Sequence, residues 1–80
     1  MSTFLNIGFD NMVSVNKIVA IVSPEGASVK RMIQFAKEHH YLLDVSSGRK
    51  TRSVIITSDN YIFLSAIQAE TLAGRLNGDL

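Results

Sequence analysis

The sequence predicts an α+β fold: a small, mainly antiparallel sheet carrying two short helices, in one domain over residues 1–80. Three observations lead there. Short β-branched and aromatic stretches alternate with clusters of Gly, Asn, Asp and Ser, the mark of strands joined by turns. Two other stretches repeat apolar residues every three or four positions, the period of an amphipathic helix. The chain has 80 residues, near the lower end of domain sizes, so a second domain has no room.

Residues 3–9 (TFLNIGF) read as a strand running into a turn at Gly8–Asn11, where Gly, Asp and Asn tolerate positive φ. Met12–Val15 and Ile18–Val22 continue as extended chain. The second is a β-branched run (IVAIV) stopped by Ser23-Pro24, because the residue before a proline is pushed out of the α region. A helix is expected over 28–39 with Ser28 as N-cap. Val29, Met32, Ile33 and Ala36 share one face of it, and Lys30, Gln34, Lys37 and Glu38 take the other. Tyr41–Val45 is the next strand and Ser46-Ser47-Gly48 a turn. Arg52–Thr57 then pairs as a hairpin, across Ser58-Asp59-Asn60, with Tyr61–Ser65. A last helix over 68–77 carries Ala69, Leu72, Ala73 and Leu76 as its stripe, with Gly78 placed to stop it. The expected order is β-β-β-α-β-β-β-α.

The strands IVAIV, VII (54–56) and YIFL (61–64) are continuous apolar runs where a one-sided sheet would alternate. Both faces of the sheet therefore need cover. Two short helices are expected to shield one face, leaving the other to a second copy of the chain. The competing reading is a monomer with exposed apolar surface.

Composition narrows the function. With 46% hydrophobic and 19% charged residues and a mean hydropathy of +0.18, the chain is too apolar for a disordered tail, and its apolar runs are too short for a membrane span. The absence of cysteine excludes disulfides, thiolate metal sites and a cysteine nucleophile. The start MSTFLNIGF lacks the features of a secretory signal, so a cytoplasmic location is expected. His39 and His40 are helix neighbours about 100° apart, poorly placed to share a metal ion and better suited to the negative end of a helix dipole. The seven carboxylates are scattered without repeated spacing, so no acid–base pair stands out. Ser46-Ser47-Gly48 lacks the context of a phosphate-binding P-loop and reads as a turn. No enzyme and no cofactor are expected.

One charged feature remains on a chain of net charge +1: Arg49, Lys50 and Arg52, three cations in four residues, with no acid between Asp44 and Asp59. Extended, this run presents two or three cations at the mouth of a hairpin, where phosphates are the natural partner. The competing reading is an edge strand whose charges deter aggregation. No exposed set of stacking aromatics accompanies the cations in the sequence, which disfavours RNA.

In the blocks NIGFDN (6–11), IVSPE (21–25), VKRMIQFA (29–36), GRKTR (48–52), VIIT (54–57) and LSAIQAET (64–71), the chain resembles the extracellular-matrix regulator A (RemA) family of small bacterial regulators. The resemblance spans nearly the whole length, with the blocks in order and at the family spacing. It implies a LytTR-like fold and a cytoplasmic DNA-binding transcription regulator of biofilm-matrix genes. It also implies a closed ring of identical subunits, an octamer being the candidate count, whose basic rim contacts double-stranded DNA. The family's DNA-contacting positions fall on Lys17, Arg49, Lys50 and Arg52. Lys17 and Lys50 stand where the family more often has arginine, which keeps the charge and loses the planar fork. Ser28 and Ala69 stand where proline is usual, and Asp10 where glycine is usual. The expected function is thus duplex DNA binding by a homo-oligomeric ring, with no membrane or small-molecule partner. The alternative is an oligomeric scaffold for a protein partner.

Overall fold

A computed structural model describes residues 3–77. Its elements follow the expected order: β1 (Phe4–Asn6), β2 (Met12–Ser14), β3 (Ile18–Val22), α1 (Ala27–Glu38), β4 (Leu42–Asp44), β5 (Ser53–Thr57), β6 (Ile62–Ser65) and α2 (Ala69–Leu76). A 3-10 turn, Val15–Lys17, joins β2 to β3. Gly78, expected to end α2, lies outside the described residues. The strands form two sheets, a β1–β2 hairpin and a four-stranded sheet ordered β3-β5-β6-β4. All pairings are antiparallel except β4 with β6, which is parallel.

The continuous apolar runs have a local explanation, since side chains alternate across a strand and both faces of the larger sheet are covered by the chain itself. Val54 and Ile56 of β5, with Ile62 and Leu64 of β6, meet Val29, Met32, Ile33 and Ala36 of α1. Ile55, on the opposite face, joins Leu5, Ile7 and Val13 of the β1–β2 hairpin and Leu72 of α2. The two helices therefore lie on opposite faces and do not share one, and the hairpin supplies the missing cover. This corrects the expectation that one whole face is left for a second copy. What stays exposed is distributed: Phe4, Phe9, Met12, Val19 and Phe35 each keep more than half of their surface in solvent. Val19 sits where the β3–β5 register slips between Ile18 and Ala20, a bulge that turns its side chain away from both cores.

Helix starts differ from expectation by small steps. Gly26 is the N-cap of α1, so Ser28 is the second helical residue and caps nothing. Gln68 is the N-cap of α2, which makes Ala69 its first residue, where proline would fix φ. Gly26 has no side chain to cap with, and the Gln68 side chain accepts no bond from the N–H groups of its helix. Two buried serine hydroxyls tie the sheet to its surroundings, and among the described residues no buried side-chain polar atom lacks a partner. Ser53 Oγ donates to Ile67 O at 2.7 Å. Ser65 Oγ donates to Ile7 O at 2.7 Å and accepts the Ile67 N–H at 3.0 Å, stitching the first hairpin to the β6–α2 corner.

Candidate nucleic-acid interface

At the end of the sheet where β5 begins and β6 ends, several connections gather. The β4–β5 connection carries Arg49, Lys50 and Arg52, all exposed. It is fixed at both ends. Asp44 Oδ1 accepts the Ser46 hydroxyl at 2.6 Å and the Ser46 N–H at 3.0 Å, and the Arg52 N–H donates to Ser65 O at 2.8 Å. Between these anchors Ser47 and Gly48 take φ of 58° and 79°, and the Arg49 N–H closes the turn on Ser46 O at 3.1 Å. The Ser46 hydroxyl, then its N–H, hold the Asp44 carboxyl below its ordinary range, against the opposing effect of burial. Asp44 is thus an ionised post for the basic loop.

The three cations divide their surroundings. Lys50 and Arg52 line an open cleft with Glu25 and Glu70, formed between the start of α2 and the Ser23-Pro24 corner. Arg49 lies over the ring of Phe9, 5.7 Å from its centroid. Among the described residues, the only ion pair joins Lys17 to Asp59 at 3.5 Å. Among the described residues no carboxylate stands within ion-pair distance of the loop cations, although Glu25 and Glu70 share the cleft of Lys50 and Arg52 and Arg49 rests on Phe9. The basic run stands in a loop at the open end of the β5–β6 hairpin, ahead of β5, so its charges do not line an edge strand.

Lys17 is elsewhere. Its carbonyl accepts the Ser58 N–H at 2.8 Å, at the far end of β5. From Arg52 to Ser58 is six residue steps of extended chain, or about 20 Å at roughly 3.3 Å per residue. Within one subunit the four sites carried over from the resemblance are a cluster of three and an outlier, and the outlier is already paired with a carboxylate.

Phe9 is the residue that reading the sequence as strand and turn overlooked. The β1–β2 turn places it beside Arg49, so an aromatic does accompany the cations after all. The local signal was Gly-Phe-Asp-Asn, an aromatic inside a turn whose neighbours favour positive φ. Asp10, at φ 65°, occupies a left-handed position, a conformation that aspartate tolerates better than most residues. The histidines take no part here: His39 Nδ1 lies 2.9 Å from Phe35 O at the end of α1, the helix-terminal role expected of it.

Residues 4–76 match the RemA-like family, described as extracellular matrix regulatory protein A-like. The chain belongs to the RemA-like family. Relatives in Bacillus cytotoxicus, Bacillus mycoides and Bacillus cereus are each 58% identical over 74 residues, which is 92% of this chain and 85% of theirs. All three carry names that assign a regulatory role. RemA-like membership and these names support a regulatory role for this chain as well. No helix among its described residues is long and apolar enough to cross a membrane.

Proposed function

We propose that the chain is a transcription regulator of the biofilm-matrix type that binds double-stranded DNA as a homo-oligomeric ring in the cytoplasm. The observation that carries this reading is the pinned loop with Arg49, Lys50 and Arg52 exposed and unpaired among the described residues. A loop held at both ends spends little conformational entropy on ordering when phosphates arrive. Three cations on one domain bind DNA weakly, and repetition around a ring raises effective concentration at each further contact. The exposed Phe4, Met12, Val19 and Phe35 give subunits apolar surface to share. Lysines at positions 17 and 50 favour contact with backbone over base edges, so binding is expected to be salt-sensitive and modest in sequence preference.

The test is an electrophoretic shift with duplex DNA, single strands and RNA, run beside a native mass measurement. A shift selective for duplex by a species well above dimer supports the proposal. A monomer, or a failure to shift duplex, overturns it and leaves the protein-binding scaffold as the better reading.

A further inference from the structure

We propose that Phe9 is itself a DNA-contacting residue, an apolar wedge held beside Arg49 and laid into the minor groove of the duplex. The inference rests on the DNA-binding reading above and adds a residue and a binding mode to it. Exposure alone would mean little, since single exposed apolar residues are common. The backbone is more informative. Gly8, Phe9 and Asp10 take φ of 113°, 51° and 65° in succession, and a bulky aromatic in the left-handed region is a costly choice. Such conformations persist where the surroundings over-determine them, and they gather at ligand contacts.

The surroundings do over-determine this one. The Ile7 N–H donates to Asn11 O at 2.8 Å and the Asn11 N–H to Gly8 O at 2.9 Å. Asn11 Nδ2 donates to Gly8 O at 2.9 Å, and the Gly8 N–H donates to Asn6 Oδ1 at 2.8 Å. A Cβ on Gly8 would stand 3.4 Å from Ile67 Cδ1, so the turn also lies against the corner before α2. These contacts hold the Phe9 ring in solvent at the basic end of the molecule, with 53% of the residue exposed.

The neighbourhood selects the partner. Phe4, Phe35, Tyr41 and Tyr61, the other strongly exposed aromatics, belong to strand and helix ends on the Lys17 side of the sheet. A single ring among cations is not the run of stacking platforms that single strands require. It is the combination used in the minor groove, where apolar side chains wedge between base steps while arginines meet the narrow, strongly negative groove.

The experiment measures affinity of the full chain for duplex DNA, single-stranded DNA and RNA by fluorescence anisotropy across a range of salt, for wild type, Phe9→Asn, Phe9→Leu and Arg49→Ala. Native mass, melting temperature and duplex end-to-end energy transfer are recorded alongside. Asparagine tolerates the left-handed backbone, so Phe9→Asn should fold at least as well as wild type. It should nonetheless weaken binding about tenfold or more and reduce bending of the duplex, leaving the salt slope unchanged. Phe9→Leu should keep most of the affinity, whereas Arg49→Ala should lower both affinity and slope. Wild-type affinity in Phe9→Asn overturns the inference while the DNA reading stands. A slope lowered as in Arg49→Ala reduces Phe9 to a prop for that arginine, a changed native mass assigns it to subunit contact, and a Phe9 effect confined to single strands or RNA rejects the wedge. Wild type that binds no duplex overturns the DNA reading and the wedge together.

Discussion

Replacing Ser65 by alanine removes a single oxygen atom and should cost a large share of the stability. The residue is fully buried, and its hydroxyl both donates to Ile7 O and accepts from the Ile67 N–H. Alanine leaves the Ile7 carbonyl, in a buried bond, and the Ile67 amide, in a half-buried one, without this partner. Each unsatisfied buried group costs about 1–3 kcal/mol, so the pair should cost about 2–4 kcal/mol once partial relaxation is allowed for. For a domain of this size each kcal/mol moves the melting temperature by about 4–8 °C, which places the expected drop at about 8–32 °C. The assay is urea denaturation followed by circular dichroism at fixed protomer concentration, because association contributes to apparent stability. The midpoint should fall with the slope unchanged. Amide exchange at Ile67 should speed up more than that at Ile55 in the sheet centre. Ser58→Ala, at an exposed hydroxyl, should stay within about 0.5 kcal/mol of wild type. A Ser65→Ala variant equally close to wild type would refute the reasoning, since it would mean that the stitch between hairpin and corner carries no net free energy.

Arg49→Ala and Arg52→Ala should each weaken duplex binding without changing native mass or melting temperature, whereas Lys37→Ala, near the opposite end of α1, should leave binding nearly intact; equal losses at all three would show that only net charge matters. Arg75 is a poor control, because its guanidinium donates to Asn6 O at 2.9 Å and helps to hold the first hairpin. Affinity for duplex should fall steeply and linearly in log salt, and a salt-insensitive affinity would count against phosphate contact. Asp44, whose carboxyl is held below its ordinary value of 3.8, contributes stability that is present above that value and lost as pH falls through its lower folded value. The stability gap between wild type and Asp44→Ala, read by denaturant melts, should therefore shrink under acid and be widest near neutrality.

The elements were legible in the sequence because each rests on local pattern. The stripe Val29, Met32, Ile33, Ala36 demanded a helix, and the turn residues 58–60 demanded a hairpin. The continuous runs in β5 and β6 correctly announced burial on both sides of the sheet, whereas the run in β3 is only partly buried and leaves Val19 exposed. What they could not announce is which element supplies each cover, because that depends on the hand of the connections and on where the β1–β2 hairpin folds back. The parallel pairing of β4 with β6 was hidden for the same reason. At the candidate site, Arg49, Lys50 and Arg52 are close in sequence and stay close in space. Lys17 is separated from them by the whole length of a strand, a distance no local pattern reports. Phe9 was hidden because the turn at Gly8–Asn11 is legible locally while its meeting with Arg49, forty residues on, is not.

The placing of Lys17 at one end of β5 and Arg52 at the other makes that strand a ruler. Its span of about 20 Å exceeds the width of either groove of B-form DNA, roughly 12 Å and 6 Å. A duplex that met both ends would be touched at two stations about six base pairs apart, at 3.4 Å per step, bridging a strand that is itself covered on both faces and flanked on both edges. The spacing of such a footprint is set by backbone pleats and not by the reach of flexible side chains. It would survive exchange of lysine for arginine at either station, and it would change only in increments of two residues, since adding a single residue would swap the two cores that meet on the faces of β5.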